Sequence, residues 1–286
     1  MIAELLTASR PLSWINTAFP FAAAYLLVAG EIDAALVIGT IFFLIPYNFA
    51  MYGVNDVFDY ASDLANPRKG GVEGALLNPR RHRIVLITAF CICLPFVIAL
   101  VVLGPAISWP VLAVSLFAVV AYSAPPFRFK EVPVLDSVTS SVHFVSPALY
   151  GILLAGGVPD LRSGTILIAF FLWGMASHAF GAVQDVIPDR EGGIASIATV
   201  LGAARTVRLA MSLWSLAALL MLTAGDPAAW AAALAIPYLC AAAPFARVSD
   251  VESGAANRGW RHFLWINYLC GFLVTMLLIW SVIRAD

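Results

Sequence analysis

Nine stretches of about twenty mostly apolar residues follow one another along this chain, near residues 11–30, 33–54, 84–104, 106–124, 137–156, 164–184, 205–223, 227–246 and 262–283. That length crosses the hydrocarbon core of a bilayer as an α-helix. The chain is 62% hydrophobic and 12% charged, against roughly 45–50% apolar and about 25% charged residues in soluble domains. A soluble fold could not cover so much apolar surface, so lipid is its solvent. The expectation is an all-α polytopic membrane protein forming one transmembrane domain over residues 1–286. The first apolar run lacks a small-residue cleavage site and reads as a retained helix. A net charge of −1 gives no reason to expect a polyanionic partner such as nucleic acid.

The charges are not spread evenly. Connections after runs 1, 3, 5 and 7 are short and nearly uncharged, and those after runs 2, 4, 6 and 8 hold almost every charge. Fourteen of the 16 Lys and Arg residues lie on one side, and only Arg162 and Arg284 on the other. Lys and Arg concentrate in cytoplasmic loops. The N-terminus and the even-numbered loops are therefore expected in the cytoplasm, with the C-terminus across the membrane. The expected location is the plasma membrane. The four cysteines, Cys91, Cys93, Cys240 and Cys270, all fall in apolar runs and read as small buried hydrophobes.

A weak internal repeat runs through the chain. Tyr52-Gly-Val-Asn-Asp-Val57 echoes Gly181-Ala-Val-Gln-Asp-Val186, each after the second run of a four-run block. This predicts two four-helix halves plus a ninth helix. Sites in repeat membrane folds often form at the repeat interface.

Both echoes end in acidic clusters. In the first, Asp56, Asp59 and Asp63 stand at i, i+3 and i+7 and share one helical face, with Asn55 on its flank. Like charges at that spacing destabilise a helix. A hard divalent cation offsets the repulsion, and magnesium typically bridges one or two carboxylates to phosphate oxygens; the alternative is a solvated acidic helix end. In the second cluster, Asp185 and Asp189 stand at i and i+4 beside Gln184. Pro188 is expected to kink or end the helix there, and Gly192 and Gly193 to allow a tight loop. Arg68, Lys69 and Lys130 follow closely as candidate phosphate partners, unless they only set orientation. The intramembrane polar residues Asn16, Asn48, His143, His178 and Asn267 are functional candidates by position, although a lone histidine in a helix is more often a packed one.

The pattern N-D-x-x-D-x-x-x-D in one half and D-x-x-x-D in the other, on nine helices, resembles the UbiA-type membrane prenyltransferases over essentially the whole chain. The resemblance implies that Asn55, Asp56, Asp59, Asp63, Asp185 and Asp189 bind Mg2+ and the diphosphate of an isoprenoid donor. It implies a basic partner at Arg68 or Lys69, and matches the family's Tyr-Ser-Pro-x-Lys stretch to Tyr122, Ser123 and Lys130 with an extra spacing. Asp56, Asp59, Asp185, Lys130 and Tyr122 are the residues then expected at the reaction. Asn55, Gln184, Arg68, Lys69 and Lys130 are expected on the diphosphate, and Asp56, Asp59, Asp63, Asp185 and Asp189 on the metal.

Within that family, stretches such as Ser9–Pro20, Pro46–Asp63, Asn66–Gly74 and Phe171–Asp185 are similar to those of actinobacterial lycopene elongases. This implies dimethylallyl diphosphate as donor, lycopene as acceptor, C50 carotenoid precursors of flavuxanthin type as products, and a central apolar cavity open to lipid. Phe49, Tyr52, Tyr122 and Phe180 are candidates to face an allylic cation. The rivals are another lipophilic acceptor, such as a quinone precursor, and a transporter, which would place its charges nearer the bilayer midplane.

Overall fold

The computed structural model describes residues 2–60, 64 and 77–284. The elements used below are α1 (Ile2–Ala8), α2 (Ile15–Ala29), α3 (Ala34–Leu44), α4 (Pro46–Phe58), α5 (His82–Leu103), α6 (Trp109–Ser123), α7 (Leu135–Leu154), α8 (Leu161–Ala182), α9 (Val186–Glu191), α10 (Ile197–Leu201), α11 (Ala203–Met221), α12 (Ala235–Ala242) and α13 (Asn257–Ile283). Eight spans among the described residues are long and apolar enough to cross a bilayer. The pair Leu5–Ser13 and Ile15–Ala29, bent by 56°, brings the number to nine. Large apolar side chains stand exposed along them, including Phe90, Val102, Leu219, Trp265 and Leu269. A helix wet by water would not tolerate such a surface; one wet by lipid requires it. The chain is an all-α, multi-pass membrane protein.

Span boundaries differ from expectation where local chemistry intervenes. The second span is broken between α3 and α4, because Pro46 has no N–H to continue the helical ladder. The buried Asn48 covers the break: its Nδ2 donates to the carbonyls of Phe43 at 2.7 Å and Leu44 at 3.1 Å, and to Thr17 Oγ1 at 2.7 Å. Thr17 Oγ1 also lies 2.7 Å from Phe43 O. This intramembrane asparagine therefore satisfies backbone. The last span starts at Ser253 rather than near residue 262, and the sixth runs on to Glu191.

Contacts divide the chain into two compact units. One comprises Met1–Phe129 with Val142–Val158, the other Lys130–Ser141 with Pro159–Asp286. The first four spans fall in one and the sixth to ninth in the other, following the repeat. The fifth, α7, is divided between them.

The first unit is built on aromatic packing. Phe21, Phe42, Phe43, Tyr47 and Tyr150 are fully buried, with Phe43 5.1 Å from both Phe21 and Tyr47 by ring centroids. Gly151 is required where α7 meets α2: a Cβ there would lie 2.6 Å from the backbone oxygen of Phe21. Ser115 Oγ donates to Ser146 Oγ at 2.7 Å, tying α6 to the same stretch of α7. The turn from α2 to α3 uses Gly30 at φ +69° and an Asp33 cap. The Asp33 carboxylate accepts the Leu36 N–H at 2.9 Å and the Tyr25 hydroxyl at 2.6 Å. The first and then the second of these bonds hold its carboxyl below the usual carboxylate range. Cys93 is buried with Sγ 3.3 Å from Pro46 O, and Cys91 is exposed; both are free thiols.

The second unit packs α8 against α11 around Trp214, whose ring lies 5.8 Å from Phe180, 5.5 Å from Tyr238 and 6.1 Å from Phe263. Phe180 also meets Phe245. It is 1% exposed, so its ring serves the core rather than a cation site. Toward the other end of these helices the packing becomes small, with Ala169, Ala217, Ala224, Ala228 and Ala231 buried together. Small residues let membrane helices approach closely.

Candidate functional site

The first acidic motif lies where α4 ends. The helix closes at Phe58, and Asp59 is its C-cap, its N–H donating to Asn55 O at 2.9 Å. Asp56 and Asp59 keep their common side but are buried, at 1% and 5% exposure. These are not the carboxylates of a solvated helix end. Asp63, Arg68 and Lys69 lie outside the described residues.

Asp56 has a partner that the sequence reading counted only as an orientation signal. Arg10 Nη2 donates to Asp56 Oδ1 at 2.9 Å, with the aspartate side chain wholly buried and the arginine 18% exposed. The same guanidinium lies 4.4 Å above the ring of Tyr52, so this face of Tyr52 is occupied by a protein cation. Arg10 reaches them from a left-handed backbone, φ +48°, a conformation that costs a non-glycine residue about 1–2 kcal/mol. Such strain persists only where the surroundings overdetermine it. The buried ion pair and the ring contact do so here.

Asn55 is met by the stretch after the fourth span. Ser123, 1% exposed at the end of α6, donates its hydroxyl to Asn55 Oδ1 at 3.2 Å. Its neighbour Tyr122 stands edge-on to His143, 5.7 Å between rings. His143 is buried, with Nδ1 3.1 Å from the hydroxyl of the fully buried Tyr47. Within the first unit, the structure thus brings together Arg10, Asn55, Asp56 and Ser123, and sets Tyr122 and Tyr47 each against His143.

The second motif lies in a break of its own. α8 gives way to a 3-10 turn over Val183–Asp185 before α9 begins. The expected disturbance from Pro188 appears upstream, where its missing N–H would have met the carbonyl of Gln184. Pro188 itself sits in the first turn of α9, where proline is tolerated. Gln184 is buried, with Nε2 donating 2.9 Å to Gly181 O and Oε1 accepting from Asn257 Nδ2 at 2.5 Å. Asp185 and Asp189 are half-buried. Gly193, at φ +69°, turns the chain after α9, and Ile194 N returns to Asp189 O at 2.8 Å.

Two further carboxylates fix this region. Asp136 is fully buried at the start of α7 and accepts the backbone N–H of Ser137 at 2.6 Å and of Ile197 at 2.7 Å. Ser137 Oγ then lies 3.1 Å from Nδ1 of His178. Asp250 accepts the Ala203 N–H at 2.7 Å and Arg190 Nη1 at 2.6 Å, and Arg190 also donates to Thr199 O. Sequence reasoning missed both carboxylates, because neither lies in an acidic run. Lys130 is half-buried in the 3-10 turn Phe129–Glu131.

The Ala203 N–H first, and the Arg190 guanidinium second, hold the Asp250 carboxyl below the usual range. A folded value below the unfolded one, about 3.9, stabilises above that pH and is lost as pH falls through the folded value. The melting-temperature gap between the native chain and Asp250→Asn is therefore expected to stay constant from neutral pH down to about pH 5 and to narrow below about pH 4. A gap that does not change with pH would contradict this.

The acidic motifs offer carboxylate and carboxamide oxygens, the hard donors magnesium takes. Among the described residues, no three His, Cys, Asp or Glu side chains gather into a group able to hold a metal.

Comparison with known proteins follows the same lines. The lycopene elongase/hydratase of Corynebacterium glutamicum is 51% identical over 279 residues, 97% of each chain. The C(50) beta-cyclic carotenoids biosynthesis protein of Dietzia sp. is 51% identical over 99% of this chain, which spans 66% of that protein's length. Among solved structures, a UbiA homolog from Archaeoglobus fulgidus bound to DMAPP and Mg2+ superposes with a TM-score of 0.68 over 93% of this chain and 98% of that one. At 17% identity that likeness speaks to the fold. Residues 17–269 match the UbiA prenyltransferase family, and the chain belongs to that family.

Proposed function

We propose that this single-domain membrane prenyltransferase transfers dimethylallyl groups from dimethylallyl diphosphate to the ends of lycopene, giving C50 carotenoid precursors of flavuxanthin type. The observation that carries the reading is the 51% identity, over 97% of both chains, to a lycopene elongase/hydratase. The Archaeoglobus homolog's bound DMAPP and Mg2+ support the donor and the ion.

Asp56, Asp59, Asp63, Asp185 and Asp189 hold Mg2+, which when bound neutralises charge on the donor's diphosphate. Asn55, Gln184, Arg68, Lys69 and Lys130 bind the diphosphate oxygens and stabilise the charge that develops as the allylic C–O bond breaks. The terminal alkene of lycopene attacks the allylic carbon, and a C–C bond forms. The tertiary cation that results loses a proton or takes up water. His143, held by Tyr47 and facing Tyr122, and His178, held by Ser137, are candidates to receive that proton, as is the released diphosphate. The N-terminus and both acidic motifs face the cytoplasm of a plasma membrane, where soluble diphosphates arrive.

Expression in cells that accumulate lycopene tests the reading. The expected outcome is conversion of lycopene to products heavier by one and two five-carbon units, with or without added water. Unchanged lycopene in cells with ample donor, alongside prenylation of a quinone precursor, would replace lycopene with that acceptor.

A further inference from the structure

A groove in the second unit is used by no step above; one of its walls begins beside Asn257, which donates to Gln184. It opens between α12 and the start of α13, across the turn that joins them. Its mouth is a cavity of about 670 Å3 whose walls include Pro244, Phe245, Arg247, Glu252, Arg258 and His262. A second cavity of about 500 Å3 shares Cys240, Ala241 and His262 with the first and continues past Pro237, Trp265 and Ile266. Together they run from a charged entrance into an apolar trough along the two helices.

The charges at the entrance are unbalanced. Arg258 and His262 stand one turn apart on α13 and so share a face, and Arg247 approaches from the connecting turn. Among the described residues, none of these three side chains makes a hydrogen bond or ion pair. The single carboxylate at the mouth, Glu252, accepts the hydroxyl of Ser249 at 2.8 Å. Elsewhere in this unit Arg190 pairs with Asp250 and Arg162 donates to Ala224 O, while Arg205, Arg208 and Arg261 likewise make no hydrogen bond or ion pair among the described residues; Arg247 and Arg258 differ in lining one groove together. Two unpaired guanidiniums at a cavity mouth suit phosphate oxygens. The trough below them suits a hydrocarbon chain. Its outer wall, Trp265, is 75% exposed, as expected of an aromatic at the membrane interface. The loop belongs to the arginine-rich side of the chain, and basic pockets between membrane helices on that side bind anionic head groups.

We propose that this groove is a binding site for an anionic phospholipid of the surrounding bilayer, its phosphodiester at Arg247 and Arg258 and one acyl chain along Pro237, Cys240 and Trp265. Inorganic phosphate would meet only half of the site, and a zwitterionic lipid would bring a cation to an entrance that already holds two.

The test uses the full chain, purified and delipidated in a neutral detergent, with apparent melting temperature and lipid adducts in native mass spectrometry as readouts. Phosphatidylglycerol is expected to raise the melting temperature and remain bound, and phosphatidylcholine or inorganic phosphate to do neither. Arg247→Ala with Arg258→Ala should weaken the apparent phosphatidylglycerol affinity by roughly thirtyfold. Arg205→Ala with Arg208→Ala, which removes the same charge elsewhere, should leave it unchanged. Cys240→Trp, which fills the trough and keeps both arginines, should abolish the shift, and it stands as an independent test should the arginine pair fail to fold. Equal responses to phosphatidylglycerol and phosphatidylcholine, a full response to phosphate alone, or equal loss in both arginine pairs would overturn the proposal. None of these readouts depends on prenyl transfer.

Discussion

Asp59→Asn is expected to lower prenyl transfer by at least about a hundredfold, the scale on which one electrostatic group at a reacting centre usually acts, while the protein still folds. Activity and folding separate because of where Asp59 sits. It caps the C-terminus of α4, where the helix dipole presents its negative end and a carboxylate is unfavourable by about 0.3–1 kcal/mol. It is also 5% exposed, so water does little to relieve it. Asparagine keeps the shape and an acceptor oxygen and removes the charge. Asp185→Asn should match the loss in activity. Diphosphate release from dimethylallyl diphosphate in the presence of magnesium, measured beside thermal melting, checks both variants. Full activity in either one would remove that residue from the metal site.

Arg10→Ala is expected to lower the apparent melting temperature by roughly 10 °C, because removing one partner of a buried ion pair costs about 3–5 kcal/mol. The loss comes less from the missing contact than from the wholly buried Asp56 carboxylate losing the guanidinium beside it. Arg10→Lys should recover only part of it, since an ammonium cannot both reach the carboxylate and lie flat over Tyr52. The double variant Arg10→Ala with Asp56→Asn should regain much of the stability, the buried charge being gone, and should stay inactive if Asp56 is a metal ligand. Thermal melting of the three proteins distinguishes the cases. An unchanged melting temperature in Arg10→Ala would mean that the pair holds nothing in place.

These two residues show how differently the chain's parts could be read before its structure was known. The spans were legible because lipid imposes one rule on every segment, about twenty apolar residues in a row, and the nine runs obey it without reference to one another. The acidic motifs could be read as candidates because the three aspartates of the first cluster and the two of the second each lie within about two helical turns of sequence. Arg10 could not, since its partner is 46 residues away and an arginine near a membrane helix already has a topological explanation. Asp136 was hidden for the opposite reason. A lone aspartate beside an apolar run looks like a solvated helix start, and only the backbone of Ile197, 61 residues on, reveals that it is buried. Asn48 misled in a third way. Its depth in the membrane marked it as a functional candidate, and its amide nitrogen is engaged by the carbonyls of Phe43 and Leu44 at the break before Pro46.

That break also bears on how the protein enters the membrane. The carbonyls beside Pro46 and the amide of Asn48 are quenched partly by Thr17, which belongs to the preceding helix. The second span by itself would carry an open patch of polar backbone into hydrocarbon, where each unsatisfied group costs several kcal/mol. Beside α2, turned back on itself by Gly30 and Asp33, it does not. The second span is therefore expected to enter lipid together with α2, as a closed hairpin whose seal is Thr17 and Asn48.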